Sequence, residues 1–125
     1  MLGSDHEDTL SSVNYLANLL SELGKLDEAR LMYERILRVD ERIHGADHAT
    51  TLISVLNLAI LLSGQGNLDD AITMYQRVVH GYDRLYGPNH SDTLQSVNML
   101  ASLLKQHGRI AARNALLARF PEAFK

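Results

Sequence analysis

The sequence predicts an all-α solenoid of three helix–turn–helix repeats, in which the last repeat is degenerate. The first observation behind this prediction is a 42-residue internal repeat, because eleven positions are identical in all three copies without a gap. The second is the amphipathic spacing of apolar residues within each copy, as in Val13, Leu16, Ala17 and Leu20. A helix pair buries its apolar stripe only by stacking on neighbouring pairs, so the copies should form one continuous array.

Each repeat is expected to contain two helices, separated by the repeated glycines Gly24, Gly66 and Gly108. The chain is expected to be a single domain, with repeats at about 3–44, 45–86 and 87–125. The second half of the third copy departs from the first two, and Pro121 should end its last helix early. The six helices are predicted near residues 8–22, 26–43, 49–64, 68–85, 91–106 and 110–120.

Small and polar residues mark how the helices pack and begin. Ala29 and Ala71 occupy the same repeat position in the second helices, where burial at a helix crossing is expected. The residues Asp5, Asp47 and Asn89 are predicted N-caps of the first helices. Each is followed by a histidine, which we interpret as a repeated loop position. Equivalent positions on stacked repeats should lie roughly 10 Å apart, too far to share one metal ion.

Composition excludes several classes of function. The 125-residue chain has net charge −3 and no cysteine, which argues against nucleic-acid binding, disulfides and thiolate metal sites. The sequence has no run of about 18 apolar residues and no secretory signal. We therefore expect no membrane association, and we expect a cytoplasmic location. Phosphate-loop, nucleophile-elbow and metalloprotease motifs are missing as well. We therefore expect no cofactor, no metal and no catalysis.

A short motif then carries a family resemblance. The sequence Gly-Lys-Leu-Asp-Glu-Ala at 24–29, with Tyr33 four residues later, resembles the centre of a tetratricopeptide repeat. Copy two repeats it at 66–71 with Tyr75. The 42-residue period, with His-x-x-Thr-Leu and Leu-Ala-x-Leu-Leu, resembles the kinesin light chain subfamily. This resemblance implies a right-handed solenoid whose concave groove binds a protein or peptide, with first-helix asparagines such as Asn14, Asn57 and Asn98 turned toward the ligand.

The predicted ligand groove has an apolar floor between two polar walls. Copy two supplies Ile53, Leu56 and Ile60, which either form the floor of a binding surface or are covered by a curved neighbouring helix. Amides and hydroxyls of copies one and three can bond a peptide backbone. The predicted groove residues are Ser11, Asn14, Asn18, Ser21, Glu22, Ile53, Leu56, Asn57, Ile60, Gln95, Asn98, Ser102 and Lys105.

An alternative function is a structural or oligomerisation segment of a larger repeat protein. Leu2-Gly3 aligns with the ends of the later repeats, as if the chain were cut from a longer array. At the other end, Leu116, Leu117 and Phe120 are expected to be exposed. Residues 1–44 carry nine acids and five bases, net −4, whereas residues 87–125 carry two acids and five bases, net +3. These features predict a possible homo-oligomer formed through uncapped terminal helices.

Overall fold

A computed structural model describes residues 7–124, and side chains between residues 15 and 123. Its elements are six α-helices and a C-terminal 3₁₀ turn at Pro121–Phe124, and no strand occurs among these residues. The predicted all-α class is confirmed, and the predicted helix bounds differ from the observed ones by at most one residue. The helices are α1 (Glu7–Glu22), α2 (Leu26–His44), α3 (Ala49–Gly64), α4 (Leu68–Tyr86), α5 (Ser91–Gln106) and α6 (Ile110–Arg119).

The turn between the two helices of each repeat has the same geometry three times. Gly24, Gly66 and Gly108 have φ of 80°, 78° and 74°, the left-handed conformation that glycine adopts without a Cβ clash. In the first turn Gly24 N–H donates to Ser21 C=O at 3.0 Å and Lys25 N–H donates to Leu20 C=O at 2.8 Å. This Schellman pattern satisfies carbonyls that the helix end would otherwise leave unpaired.

The N-caps of α3 and α5 are histidines, so the prediction of Asp47 and Asn89 is wrong. His48 and His90 have extended backbones and begin their helices. The His48 Nδ1 accepts from Thr50 N–H at 3.1 Å, and the His90 Nδ1 accepts from Asp92 N–H at the same distance. Each imidazole thus replaces the carboxylate or amide that usually caps a helix. Asp5, the third predicted cap, lies outside the described residues.

The core runs continuously through the stacked helices. Ala29 and Ala71 are fully buried, which confirms the burial predicted for this repeat position. The largest fully buried apolar side chains are Leu52, Val55, Val78 and Val97. Neighbouring second helices are also linked by ion pairs that recur one repeat apart: Arg77 to Glu41 at 2.8 Å and Arg119 to Asp83 at 3.4 Å.

The C-terminal end is closed by the chain itself, contrary to expectation. Phe120 is only 2% exposed, because the chain turns at Pro121 and the 3₁₀ turn packs on α5 and α6, with Ala123 also buried. Leu116 and Leu117 are half-buried and pack against the core. The predicted exposure of Phe120 is therefore wrong, and that of the two leucines holds only in part.

The N-terminal end is open over the described part of α1. Leu16 is 43% exposed, whereas its counterparts Leu58 and Leu100 are 4% and 2% exposed. Leu19 shows the same contrast with its counterparts. The difference arises because α3 packs on α2 and α5 packs on α4, while α1 packs on α2 of its own repeat. Among residues 7–124, no helix is long and apolar enough to cross a membrane.

Candidate ligand groove

The predicted floor residues of α3 differ in exposure. Ile53 and Ile60 are 50% and 46% exposed, so no helix of the described chain covers them. Leu56 is half-buried and packs against the core. Ser11 and Asn14 belong to α1, but their side chains lie outside the described residues. The apolar surface of α3 therefore consists mainly of Ile53 and Ile60.

A cavity of about 480 Å³ lies between α1, α2 and α3. It brings together five of the predicted groove residues, which come from two neighbouring first helices. These are Asn18, Ser21, Glu22, Asn57 and Ile60. The remaining lining is supplied by Leu26 and Tyr33 of α2 and by Leu61 and Gly64 of α3. The volume lies within the range typical of ligand pockets.

Tyr33 of α2 fixes one polar group of this cavity. Its buried hydroxyl donates a hydrogen bond to the Asn18 Oδ1. Burial raises the pKa of Tyr33 above its usual value, so the phenol keeps the proton that it donates. With Oδ1 held in this way, the amide N–H₂ group of Asn18 can donate to a ligand. The exposed Glu22 carboxylate adds an acceptor beside it.

A second cavity, of about 540 Å³, lies along α5. Three predicted groove residues line it, namely Gln95, Asn98 and Ser102, together with Leu94 and Met99 of the same helix. Glu122 and Ala123 of the C-terminal turn close one side. Ile53, Leu56 and Lys105 line neither cavity. Eight of the thirteen predicted residues thus line two separate cavities rather than one uninterrupted groove.

The contributions of the second helices and of the C-terminal turn to these cavities were not predicted from the sequence. In the sequence Tyr33 stands out only as the tyrosine of the repeat motif, which recurs as Tyr75 one repeat later. The position equivalent to Asn18 one repeat later is Ile60, which cannot accept a hydrogen bond, so the repeat gave no signal for the contact between Tyr33 and Asn18. Nothing in the repeat pattern pointed to Glu122 or Ala123, because the third copy departs from the pattern there.

The chemistry of both cavities suits a polypeptide. Amides and hydroxyls can donate to and accept from a peptide backbone, and Ile60 and Met99 offer apolar contacts for its side chains. Across residues 7–124, no group of three or more histidine, cysteine, aspartate or glutamate side chains is placed to hold a metal ion. His44 and His48 do stack, with ring centroids 4.8 Å apart.

Comparison with known proteins places this architecture among tetratricopeptide repeats. The sequence pattern of the tetratricopeptide repeat family matches residues 8–82 and 53–112. No curated protein matches the sequence.

Two solved structures share the fold. A kinesin-light-chain-type protein from Podosopora anserina with nearly identical TPR-like repeats superposes with a TM-score of 0.85 at 23% identity. The match covers 96% of this chain and 57% of that protein. BtubC (BKLC) from P. vanneervenii gives a TM-score of 0.78 at 20% identity, over 89% of this chain and 44% of that protein. This chain therefore spans about half the length of the solved structures that it matches.

Proposed function

Because this chain belongs to the tetratricopeptide repeat family, we propose that it is an interaction module that binds a segment of a partner protein along its first helices. Tetratricopeptide repeats generally mediate contacts between proteins and generally act as non-enzymatic scaffolds. The observation that carries the proposal is the cavity between α1 and α3. There, Asn18 and Asn57 flank the half-exposed Ile60.

The proposed ligand is an extended or helical segment with at least one apolar side chain. That side chain contacts Ile60, while the amides and Glu22 bond the ligand's backbone or polar groups. Ile60 is 46% exposed to water in this cavity, and covering its side chain with an apolar side chain of the ligand is favourable. The second cavity along α5 offers a further contact for a longer segment.

A pull-down with paired variants tests this proposal. Ile60→Asp places a carboxylate in the cavity, and Leu85→Asp makes the same change on α4, at a residue that is also 46% exposed. We expect Ile60→Asp to abolish partner capture and Leu85→Asp to leave it intact, with both variants equally helical by circular dichroism. Equal capture by the two variants would remove the groove as the binding site. Ile60 suits this test better than Leu56, because Leu56 packs against the core.

The open face of α1 supports a second candidate function, self-association. Tyr15, Leu16 and Leu19 are exposed there, whereas the repeat counterparts of Leu16 and Leu19 are buried. Since Phe120 and Ala123 close the other end, contact between two α1 faces is the form of association that we propose. Light scattering over a hundredfold range of concentration distinguishes the candidates. A constant monomer mass over this range excludes self-association. If the mass rises with concentration, the Leu19→Asp variant should remain monomeric.

A further inference from the structure

A third cavity, of about 400 Å³, lies between α4, α5 and α6. It shares no residue with the two groove cavities, so it is a separate surface of the molecule. Its base is made by core side chains, including Ile72, Val79, Leu104 and Phe120. The exposed Ala112 and Ala115 of α6 form one wall. The site is therefore an apolar depression that remains open to solvent.

Several residues that line this cavity differ from their counterparts one repeat earlier. Ala112 and Ala115 stand where α4 has Asp70 and Thr73, one repeat earlier. On the facing helix, Ile72 and Gln76 of α4 stand where α2 has Arg30 and Glu34. In the first repeat those two residues form an ion pair, with Arg30 Nε 3.2 Å from Glu34 Oε2. Ile72, Ala112 and Ala115 are therefore apolar at positions where the preceding repeat has charged or polar side chains.

Arginines mark both ends of this depression. Arg109 caps the start of α6 and Arg119 is its last residue, and both line the cavity. Their Cα atoms are about 15 Å apart, because ten residues of helix separate them. No acidic side chain is among the described residues that line the cavity, and the exposed His80 lies on the α4 side. The formally charged side chains that line the cavity, Arg109 and Arg119, are thus both cationic.

The two arginines already have carboxylate partners, which do not saturate them. Arg109 Nη2 lies 2.9 Å from Asp69 Oδ1, and Arg119 Nη2 lies 3.4 Å from Asp83 Oδ2. The Asp69 side chain is 83% exposed, and ion pairs of this kind contribute little energy. A guanidinium has five N–H donors, so each arginine can bond a second carboxylate while it keeps its first.

We propose that this cavity binds a partner peptide whose apolar residues are flanked on both sides by acidic residues. The apolar residues fill the depression over Ile72 and Phe120, and the acidic ones reach Arg109 and Arg119. A peptide suits this arrangement, because the ligand must be elongated to reach both arginines and must also fill the apolar space between them. An extended segment of about five residues covers that distance. The proposal is independent of the groove, because it uses α4 and α6 rather than the exposed faces of α1 and α3.

The probe for this proposal is a phage library of random twelve-residue peptides, selected on the full chain at low ionic strength. Peptides in which acidic residues flank an apolar centre should be enriched. The affinity of the enriched peptide is then measured for variants that fill the cavity, Ala115→Leu and Ala112→Leu. The matched controls are Ala111→Leu and Ala118→Leu, which lie on exposed positions of α6 outside the cavity.

We expect each filling variant to bind the peptide with an affinity lowered about tenfold or more, and the two controls to bind it with the affinity of the wild type. Arg109→Gln should weaken binding at low salt and reduce its salt dependence, whereas Arg113→Gln, outside the cavity, should not. The proposal is overturned if no such peptide is enriched or if the filling variants bind it normally. It is equally overturned if Ile60→Asp abolishes binding, because the peptide would then occupy the groove.

Discussion

Among the glycines that the structure describes, Gly81 in α4 is the one where an added Cβ would meet other atoms within 4 Å. A Cβ atom placed there would lie 2.5 Å from Leu52 Cδ1 and 2.7 Å from Leu52 Cδ2. Carbon atoms in contact are normally about 3.5–4.0 Å apart, so in Gly81→Ala the new Cβ and the Leu52 side chain must move apart by about 1 Å. Leu52 is fully buried in α3 and cannot swing into solvent. The helices or the leucine rotamer must therefore move.

The magnitude follows from two opposing effects. Overpacking of this kind costs about 1–3 kcal/mol. Alanine also stabilises a helix relative to glycine, by up to about 1 kcal/mol. Gly64→Ala is the control, because Gly64 is also helical and its new Cβ would meet no atom within 4 Å. Gly81→Ala should therefore be less stable than Gly64→Ala by about 1–3 kcal/mol.

Urea unfolding followed by circular dichroism measures this difference. The slope of unfolding free energy against urea concentration should be the same in both variants, so that only the midpoint moves. If Gly81→Ala is as stable as Gly64→Ala, then Leu52 does not pack against Gly81 as described, and the close approach of α3 and α4 is wrong.

Three further outcomes follow from the same structure. Ala71→Leu should cost about 1–3 kcal/mol of unfolding free energy by overpacking, whereas Ala118→Leu on the exposed side of α6 should change it little. His48→Ala removes the N-cap side chain of α3 and should lower the unfolding free energy by about 1 kcal/mol. His80→Ala, at an exposed position of α4, should leave the unfolding free energy unchanged. Equal urea midpoints for the two variants would refute the role of His48 as a cap. Burial, and then Asp92 and Tyr86, raises the pKa of Tyr82. Above about pH 10 the unfolded chain loses this phenol proton while the folded state still keeps it. The contribution of Tyr82 to the unfolding free energy is therefore fully present below about pH 10 and falls as the pH rises further. Tyr82→Phe should lessen that fall in urea midpoints measured from pH 8 upward, and an unchanged fall would show that Tyr82 is not the cause.

Most of the fold could be predicted because the repeat constrains it three times. The glycines at 24, 66 and 108 and the apolar stripes before them locate the helix ends to within a residue. The N-caps could not be found in the same way. Aspartate and asparagine are the preferred N-cap residues, so the sequence favours Asp47 and Asn89 over the histidines that follow them. Only the backbone shows that the chain is still extended at His48 and His90.

The candidate site was predicted less completely, for two physical reasons. Helical spacing shows which side chains share a face, but not which second-helix residue reaches the cavity edge, and Tyr33 was therefore missed as the partner of Asn18. The C-terminal turn lies outside the repeat pattern. Its burial of Phe120 and its contribution of Glu122 to the cavity along α5 depend on how the chain folds back after Pro121.

Site-directed photo-crosslinking tests the central claim most directly, because it reports which face of the module the partner contacts. A benzoyl-phenylalanine is placed singly at Ile60 and at Asn18 in the groove, and at the exposed Leu31 and Leu85 of the second helices. With the partner captured by the intact chain, we predict crosslinks from positions 60 and 18 and none from positions 31 and 85. Crosslinks only from the second-helix positions would contradict the assignment of the groove as the binding surface.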